Sequence, residues 1–496
     1  MVNIKTDSRK VKKGDIFVAL RGIVGDGHDF IPQAIKNGAS KIIAEEGEYS
    51  VPYEIVKDSR EYLNDYLKDN YNKYLNEMHI IGITGTNGKT TTAYLVHDAL
   101  NKLDMKCCYI GTIGYFRDKK ISDLPNTTPE VSEIYEMLVE AYDLGYRYAV
   151  VEASSEGLLH RRLENVPFEY AIFTNLTQDH LNIHGTMENY ARCKQKLFNQ
   201  IKPGGKAIVN YDDPNKDLFM LDYNTNITYG FKGGDFRVSD YQMSIMGSNF
   251  TFINDGVKQN IKVPLIGKYN IYNVLTTIIS LHELGVNFSS IYDVLLNIDM
   301  PPGRMDMVEY QNNRIVIDYA HTPDAVQNVI STVKEVCDGH IYTVFGCTGD
   351  RDRTKRPIMT KIVTDLSNKA IITSDDLHNE DPKQIVDDMI KGLINTNYEI
   401  ELDRKKAIIK GIKMLDINDV LLILGKGHEE AIIVKDNKRI PFNDKRTVLE
   451  YLESKKAIRI EKIDDEYESS FYVWLNLTFY YAFGIINGNL KRGDFG

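Results

Sequence analysis

A lysine followed by hydroxyl residues in a glycine loop is chemistry for holding phosphate, and residues 84–92 read "TGTNGKTTT". Gly85 and Gly88 let backbone N–H groups close around phosphate oxygens, with Thr86 and Asn87 between them. Lys89 can reach the β/γ-phosphates, Thr90 offers a hydroxyl to Mg²⁺, and Thr91 continues into a helix. The apolar stretch "MHIIGI" before the loop reads as a strand, and "AYLV" with Leu100 a turn on reads as a helix. Strand, loop and helix in that order is phosphate-loop architecture. The strict pattern begins with a Gly where Ile83 stands. Despite that departure, the loop reads as an ATP site.

Other reactive residues also follow apolar runs. In "YAVVEASSEG", Glu152 closes a strand, the end at which α/β proteins bind ligands, and can complete a Mg²⁺ shell that Thr90 begins. In "YAIFTNLTQDHLNIHGTMENYARCKQKLF", a strand delivers Asn175, Asp179, His180 and His184 into one loop, and a helix carrying Lys194 follows. That is either a metal-binding cluster or a polar surface loop. "FGCTGDRDRTKRP" offers Arg351, Arg353, Lys355 and Arg356 to an anionic substrate, or simply to solvent. "LGKGHEEAIIV" presents Gly425, Lys426, His428 and Glu429 after another strand. The residues by themselves imply an ATP- and Mg²⁺-using enzyme with a multi-domain cleft, and leave the substrate open.

Elements must hold these groups, and 496 residues suffice for two to four domains. The composition, 43% apolar and 26% charged, is that of a globular protein with ample core. A formal charge of −10 argues against nucleic acid or an anionic membrane as the main partner. Cys107, Cys108, Cys193, Cys337 and Cys347 show no paired or metal-ligand spacing, so a reducing cytosol is expected, and charged residues close behind Met1 suggest no signal peptide. Residues 1–76 form a first block; 77–303 a second, ending at the double proline of "LNIDMPPGRMD"; and 304–457 a third. Strands alternate with helices in the later blocks, which argues for parallel sheets covered by helices. The tail, 458–496, is uncharged from 469 to 487 and aromatic; a packed or dispensable segment is expected there, not a membrane span.

The chain resembles the Mur ligases, and within them the UDP-N-acetylmuramoyl-tripeptide synthetases. The resemblance is carried by "DSRKVKKGDIFVAL", "GITGTNGKTTT", "NTTPE", "VEASSEGLLHRRL", "FTNLTQDHLNIHGTMENYARCK", "GKYNIYNV", "PPGRMD", "IDYAHTPDA", "FGCTGDRDRTKRP" and "LGKGHE", in family order. The start looks some residues short of the family pattern, and the tail has no family counterpart. The resemblance implies an α/β fold in three domains: a UDP-MurNAc-binding N-terminal domain, a central P-loop ATPase domain and a Rossmann-like C-terminal domain. It also implies an acyl phosphate, formed from ATP on the D-glutamate carboxylate of UDP-MurNAc-L-Ala-D-Glu and attacked by the amine of a diamino acid. A monomeric cytoplasmic enzyme is expected.

Site residues follow from the same resemblance. Gly85 to Thr91 hold the triphosphate, Thr90 and Glu152 one Mg²⁺, and His180 with a carbamylated Lys194 a second. Asn270 and Asn273 lie where the family contacts adenine, and Arg304 and Asp318 also reach ATP. Thr6, Ser8 and the loop 22–25 match the uridine region; Thr127, Thr128, Ser154, His160 and Arg162 match contacts to the UDP-MurNAc-dipeptide. The family often has Gln where His160 stands. The amino acid meets Arg351, Asp375, Asp376, His378, Gly425 and Glu429. Diaminopimelate-adding members carry Asp-Asn-Pro-Arg where this chain reads "DDLH", so His378 replaces an arginine that grips the distal carboxylate. The acidic residues then favour a terminal ammonium, and the charge argument leans toward L-lysine or ornithine over meso-diaminopimelate. Folylpolyglutamate- and cyanophycin-type synthetases share the ATP core, but "DSR…GDIFVAL" and "NTTPE" speak against them. A non-catalytic scaffold would have no use for a metal shell.

Overall fold

The computed structural model describes residues 2–22, 25–221 and 226–466, so the expectations for the tail and for the middle of the loop 22–25 fall outside it. Two compact units divide the chain: residues 1–306 with 328–337, and residues 307–327 with those from 338 on.

The first unit holds two sheets. Four short parallel strands, Ile4–Lys5, Ile16–Val18, Lys41–Ala44 and Tyr53–Ile55, lie side by side in chain order. The Tyr/Asn-rich stretch after them forms the helix Ser59–Leu75, started by the Asp58 side chain accepting from the Glu61 N–H. Leu63 and Leu67 give it one apolar stripe, which shares a core with Met78, Ile80, Tyr135 and Phe168. The larger sheet has eleven strands. At its centre His79–Thr84 runs parallel between Phe168–Phe173 and Tyr148–Glu152, with Cys107–Gly111 beyond the latter. Apolar layers cover both faces, which is why "IIGI" is apolar without alternation. The parallel register brings Thr84, Gly111, Glu152 and Phe173 to one rim.

Strand–helix alternation fails between 226 and 263. There the strands Phe236–Ser244, Gly247–Asn254 and Val257–Val263 form an antiparallel ribbon. Asp255 and Gly256 both adopt positive φ, 48° and 77°, as a tight hairpin turn demands. Phe250, Phe252, Ile261 and Val263 face the core while their neighbours along each strand are more exposed.

In the second unit, six strands lie in the order Asp306–Tyr310, Asn313–Asp318, Val420–Leu424, Ile341–Cys347, Lys369–Ser374 and Tyr398–Ile400. The last five run parallel. Because Val420–Leu424 inserts between two earlier strands, the carboxyl ends at Asp318, Cys347, Ser374 and Leu424 border a switch point, the place where open α/β sheets bind ligands.

Candidate active site

The phosphate loop closes because two positions carry no side chain. Gly85 has φ 149°, and a Cβ there would stand 1.9 Å from Thr174 Oγ1. Gly88, at φ 85°, caps the helix Lys89–Lys102, and a Cβ would meet Asn273 Oδ1 at 2.8 Å. Lys89 folds back over the loop, its Nζ donating to the carbonyls of Gly85 (3.0 Å) and Thr86 (2.9 Å). Burial drives its pKa down, while Glu152 and Asp179 pull it upward.

Lys194 lands on the same carbonyl: its Nζ donates to Gly85 O at 2.7 Å, and the residue is only 1% exposed. Burial, then the neighbouring Lys89, pushes its pKa well below the ordinary lysine value. Beneath it lies Tyr190, one helical turn earlier, with the Lys194 Nζ 4.4 Å from the ring centroid. The Tyr190 hydroxyl reaches Thr86 Oγ1 at 3.3 Å, and its ring meets His184 and His180 at centroid distances of 5.1 and 6.3 Å. Tyr190 therefore ties loop, lysine and histidines together. Its sequence signal is the i, i+4 spacing to Lys194, which sequence reading overlooked.

Glu152 is fully buried and accepts a 2.9 Å hydrogen bond from the Thr90 hydroxyl. A hydroxyl and a carboxylate side by side are hard oxygen donors, a set that fits Mg²⁺. His180, at φ 51°, sits 3.4 Å from Asp179 and 3.9 Å from Glu156 across ion-pair contacts. A Lys194 ammonium does not fit a cation site.

A cavity of about 460 Å³ is lined by Thr86 to Thr91, Thr127, Ser154, Arg162, His180, Lys194 and Arg304. It thus gathers most of the nucleotide, metal and dipeptide residues expected from sequence, and adds Thr112, Glu156 and Tyr190. Others serve from behind. Asn273 accepts from Thr92 and donates to Asn270, so this buried pair braces the loop helix. Thr128 donates to the Glu152 carbonyl and accepts from the Ser154 N–H. Arg162 is aimed by Glu130, which also pairs with Arg60. His160 is half-buried, its pKa lowered by burial and by Arg162 and Arg60. Thr6 meets Ser132 at 3.3 Å, and Ser8 lies buried in the small N-terminal sheet region. Asp318 belongs to the second unit, where it accepts from the Ala320 N–H.

That second unit has its own cavity, about 490 Å³, and Arg351, Asp375, Asp376, His378, Gly425 and Glu429 all line it. The carboxylates of Asp375, Asp376 and Glu429 converge closely enough to suggest a metal. The place is taken by Lys426: its buried Nζ lies 2.7 Å from Asp376, 2.7 Å from Glu429 and 3.5 Å from Asp375. The acidic balance behind the preference for lysine or ornithine is therefore offset by Lys426, and further by Arg351 and Lys355 in the same wall. The basic loop also divides. Arg353 and Arg356 pair with Glu380, and Arg356 also with Asp388, so these two arginines brace the fold.

A phosphate loop at the carboxyl rim of the parallel centre of a sheet, with a carboxylate beside its threonine, defines an α/β protein of the phosphate-loop class. Residues 1–87, 83–281 and 303–427 match, in turn, the Mur ligase family catalytic domain, the Mur ligase middle domain and the Mur ligase glutamate ligase domain. The chain is 40% identical over 468 residues to the UDP-N-acetylmuramoyl-L-alanyl-D-glutamate–2,6-diaminopimelate ligase of Clostridium perfringens, covering 91% of this chain and 95% of that one. The ligase of the same name from Fusobacterium nucleatum is 39% identical over 469 residues, covering 92% and 94%. A solved structure of a ligase so named superposes with a TM-score of 0.69 at 31% identity, covering 92% of this chain and 95% of that one. The chain belongs to the Mur ligase family.

Proposed function

We propose that the chain is an ATP-dependent ligase that joins 2,6-diaminopimelate to UDP-MurNAc-L-Ala-D-Glu in peptidoglycan synthesis, acting as a cytoplasmic monomer. The observation that carries this reading is the first-unit cavity, where the phosphate loop, Lys194 and the Thr127–Ser154–Arg162 group share one wall. The relatives' names supply the amino acid. In this assignment residues 1–76 take the uridine end through Thr6, Ser8 and the loop 22–25, residues 77–303 take ATP, and residues 304–457 take the amino acid.

A carboxylate is a poor electrophile, so the D-glutamate carboxylate must first acquire a phosphoryl leaving group. Lys89 leaves its two carbonyls for the β/γ-phosphates, and the loop N–H groups hold the phosphoryl oxygens; both neutralise charge as the phosphoryl group moves. Arg162, held by Glu130, orients the anionic dipeptide. The amine then attacks the acyl carbon of the acyl phosphate: the C–N bond forms, the C–O bond to phosphate breaks, phosphate departs, and the nitrogen gives up a proton. Thr90 and Glu152 would hold one Mg²⁺, and His180 with Lys194 a second, and the ions would supply neutralisation of the triphosphate charge.

Lys194 suits that role only as a carbamate. Burial pushes its pKa down and so favours the neutral amine; that amine's lone pair attacks CO₂, forming a C–N bond as a C=O π pair moves onto oxygen and a proton passes to solvent. The product is an anionic oxygen ligand in place of a cation. For the amino acid, Arg351 and Lys355 line the same cavity as His378 and offer a distal carboxylate the cationic partners that a neutral imidazole does not. The test is phosphate release from ATP with UDP-MurNAc-L-Ala-D-Glu and a panel of amino acids. A kcat/KM for meso-diaminopimelate at least tenfold above that for lysine is expected. The reverse preference would restore the lysine reading, and no release with any amino acid would remove both.

A further inference from the structure

Glu152, read above as a Mg²⁺ ligand, has two oxygens with different neighbours. Oε2 accepts from the hydroxyls of Thr90 (2.9 Å) and Thr112 (3.1 Å) and so faces the phosphate loop. Oε1 accepts from the Thr112 N–H at 3.0 Å and from the Tyr109 hydroxyl. Tyr109 is fully buried on the strand Cys107–Gly111, which pairs in parallel with Tyr148–Glu152. Its ring is wedged among Phe116, His97 and Tyr94, with centroids 5.6, 6.0 and 6.4 Å away. Such a ring has little room to swing.

Gly111 completes the arrangement. A Cβ at this position would stand 2.3 Å from Glu152 Oε1 and 2.5 Å from Tyr109 Oη. Its φ lies outside the left-handed region, so glycine is required here for space and not for conformation.

We propose that Tyr109 is a positioning residue for the ligase reaction: its hydroxyl occupies Glu152 Oε1, so that Oε2 alone is presented beside Thr90, and Gly111 is the gap through which that bond forms. This rests on the assignment of Glu152 as a metal ligand. A phenol fits the task because it orients a carboxylate without adding charge, whereas a lysine or arginine there would cancel the charge a cation needs. Groups that hydrogen-bond to metal ligands typically tune metal affinity by about 10–100-fold.

The test is a Mn²⁺ titration of the full chain with β,γ-methylene-ATP, followed by electron paramagnetic resonance, alongside thermal melting. Tyr109→Phe keeps the ring and removes only the hydroxyl; it should raise the Mn²⁺ dissociation constant tenfold or more while Tm moves by a few degrees at most. Gly111→Ala, whose Cβ would press on both Glu152 Oε1 and the Tyr109 hydroxyl, should weaken Mn²⁺ binding at least as much. The double variant should lose no more than the worse single one. Glu152→Gln separates the two readings. If it weakens Mn²⁺ binding but Tyr109→Phe stays within twofold of wild type, Tyr109 is packing only and the proposal fails by itself. If Glu152→Gln leaves Mn²⁺ binding unchanged, Glu152 is no ligand and both fall.

Discussion

Two lysines on the carbonyl of Gly85 set the chemistry at the residue scale. Lys89 and Lys194 crowd two amines onto one carbonyl, and burial lowers the pKa of both, that of Lys194 to well below the ordinary lysine value. Its neutral amine is the form that takes up CO₂, so Lys194→Ala should nearly abolish ligation, and added short carboxylic acids should partly restore it. Turnover of the alanine variant near wild type would exclude a metal-ligating carbamate. Lys89→Ala removes charge neutralisation at the moving phosphoryl group and should cost about 10³-fold in turnover, about 4 kcal/mol of barrier, with a smaller loss in nucleotide affinity. A steady-state and binding comparison checks that split. Much of this site was legible in the chain, because a glycine loop between strand and helix, and an acid at a strand end, are local signals. Tyr190 and Tyr109 were not, and Lys426 was picked out by its motif without its task. Each does its work across space: Tyr190 against Thr86, Lys426 against Asp375 and Asp376 far back in the chain as well as nearby Glu429, Tyr109 against a neighbouring strand. The task of Lys426 could have been suspected, since three acids in one pocket need a counter-ion. Lys426→Met should strand them and cost about 3 kcal/mol of stability, read as a lowered denaturation midpoint.

Elements bring these residues together through a few rigid braces. In the second unit, the loop 348–356 and the segment 375–381 form the cavity wall and are stitched side by side. Arg356, 1% exposed, donates to both oxygens of Glu380, and the Asp350 carboxylate accepts from Asn379. These arginine contacts hold the Glu380 carboxyl at about 2, well below the ordinary carboxylate range. A depressed folded-state pKa means the brace is worth its full amount above the unfolded carboxylate value, about 4.3, and is lost as pH falls from there toward 2. Thermal midpoints should therefore drop across that interval. In Glu380→Gln the midpoint at neutral pH should be lower and that part of the acid-induced drop smaller; an unchanged profile would show that the brace carries no stability. The cations of "DRDRTKR" were read as facing either an anionic substrate or solvent, and the structure instead pairs Arg353 and Arg356 with acids. Charge pattern shows that cations cluster, but only the fold shows which already have partners. The antiparallel ribbon from 236 to 263 was missed similarly, since the flanking strand–helix alternation suggested more of the same. Its own signals were local: an Asp-Gly turn between two strands with apolar residues on one face.

At the scale of the whole molecule, the proposed function divides its chemistry between two cavities: one in the first unit lined by the residues assigned to phosphate and dipeptide, the other in the second lined by those assigned to the amino acid. Family matches account for residues 1–87, 83–281 and 303–427, and the relatives span nine-tenths of the chain at nearly their own full length. No helix among the described residues is long and apolar enough to cross a membrane. Ending the chain after Glu466 removes residues 467–496, which include the uncharged aromatic run and the chain's single tryptophan, but none of the matched residues. Both cavities keep every lining residue. The shortened chain should therefore turn over ATP with UDP-MurNAc-L-Ala-D-Glu and meso-diaminopimelate within about twofold of the full chain, with unchanged KM for each substrate. Loss of the aromatic run should also leave partitioning onto lipid vesicles unchanged, since the −10 formal charge gives an anionic surface no general attraction to exploit. Both forms are assayed side by side and sedimented with neutral and anionic vesicles. A tenfold fall in turnover would place part of the working enzyme beyond residue 466. Pelleting of the full chain alone would make the tail a membrane-binding segment added to a ligase.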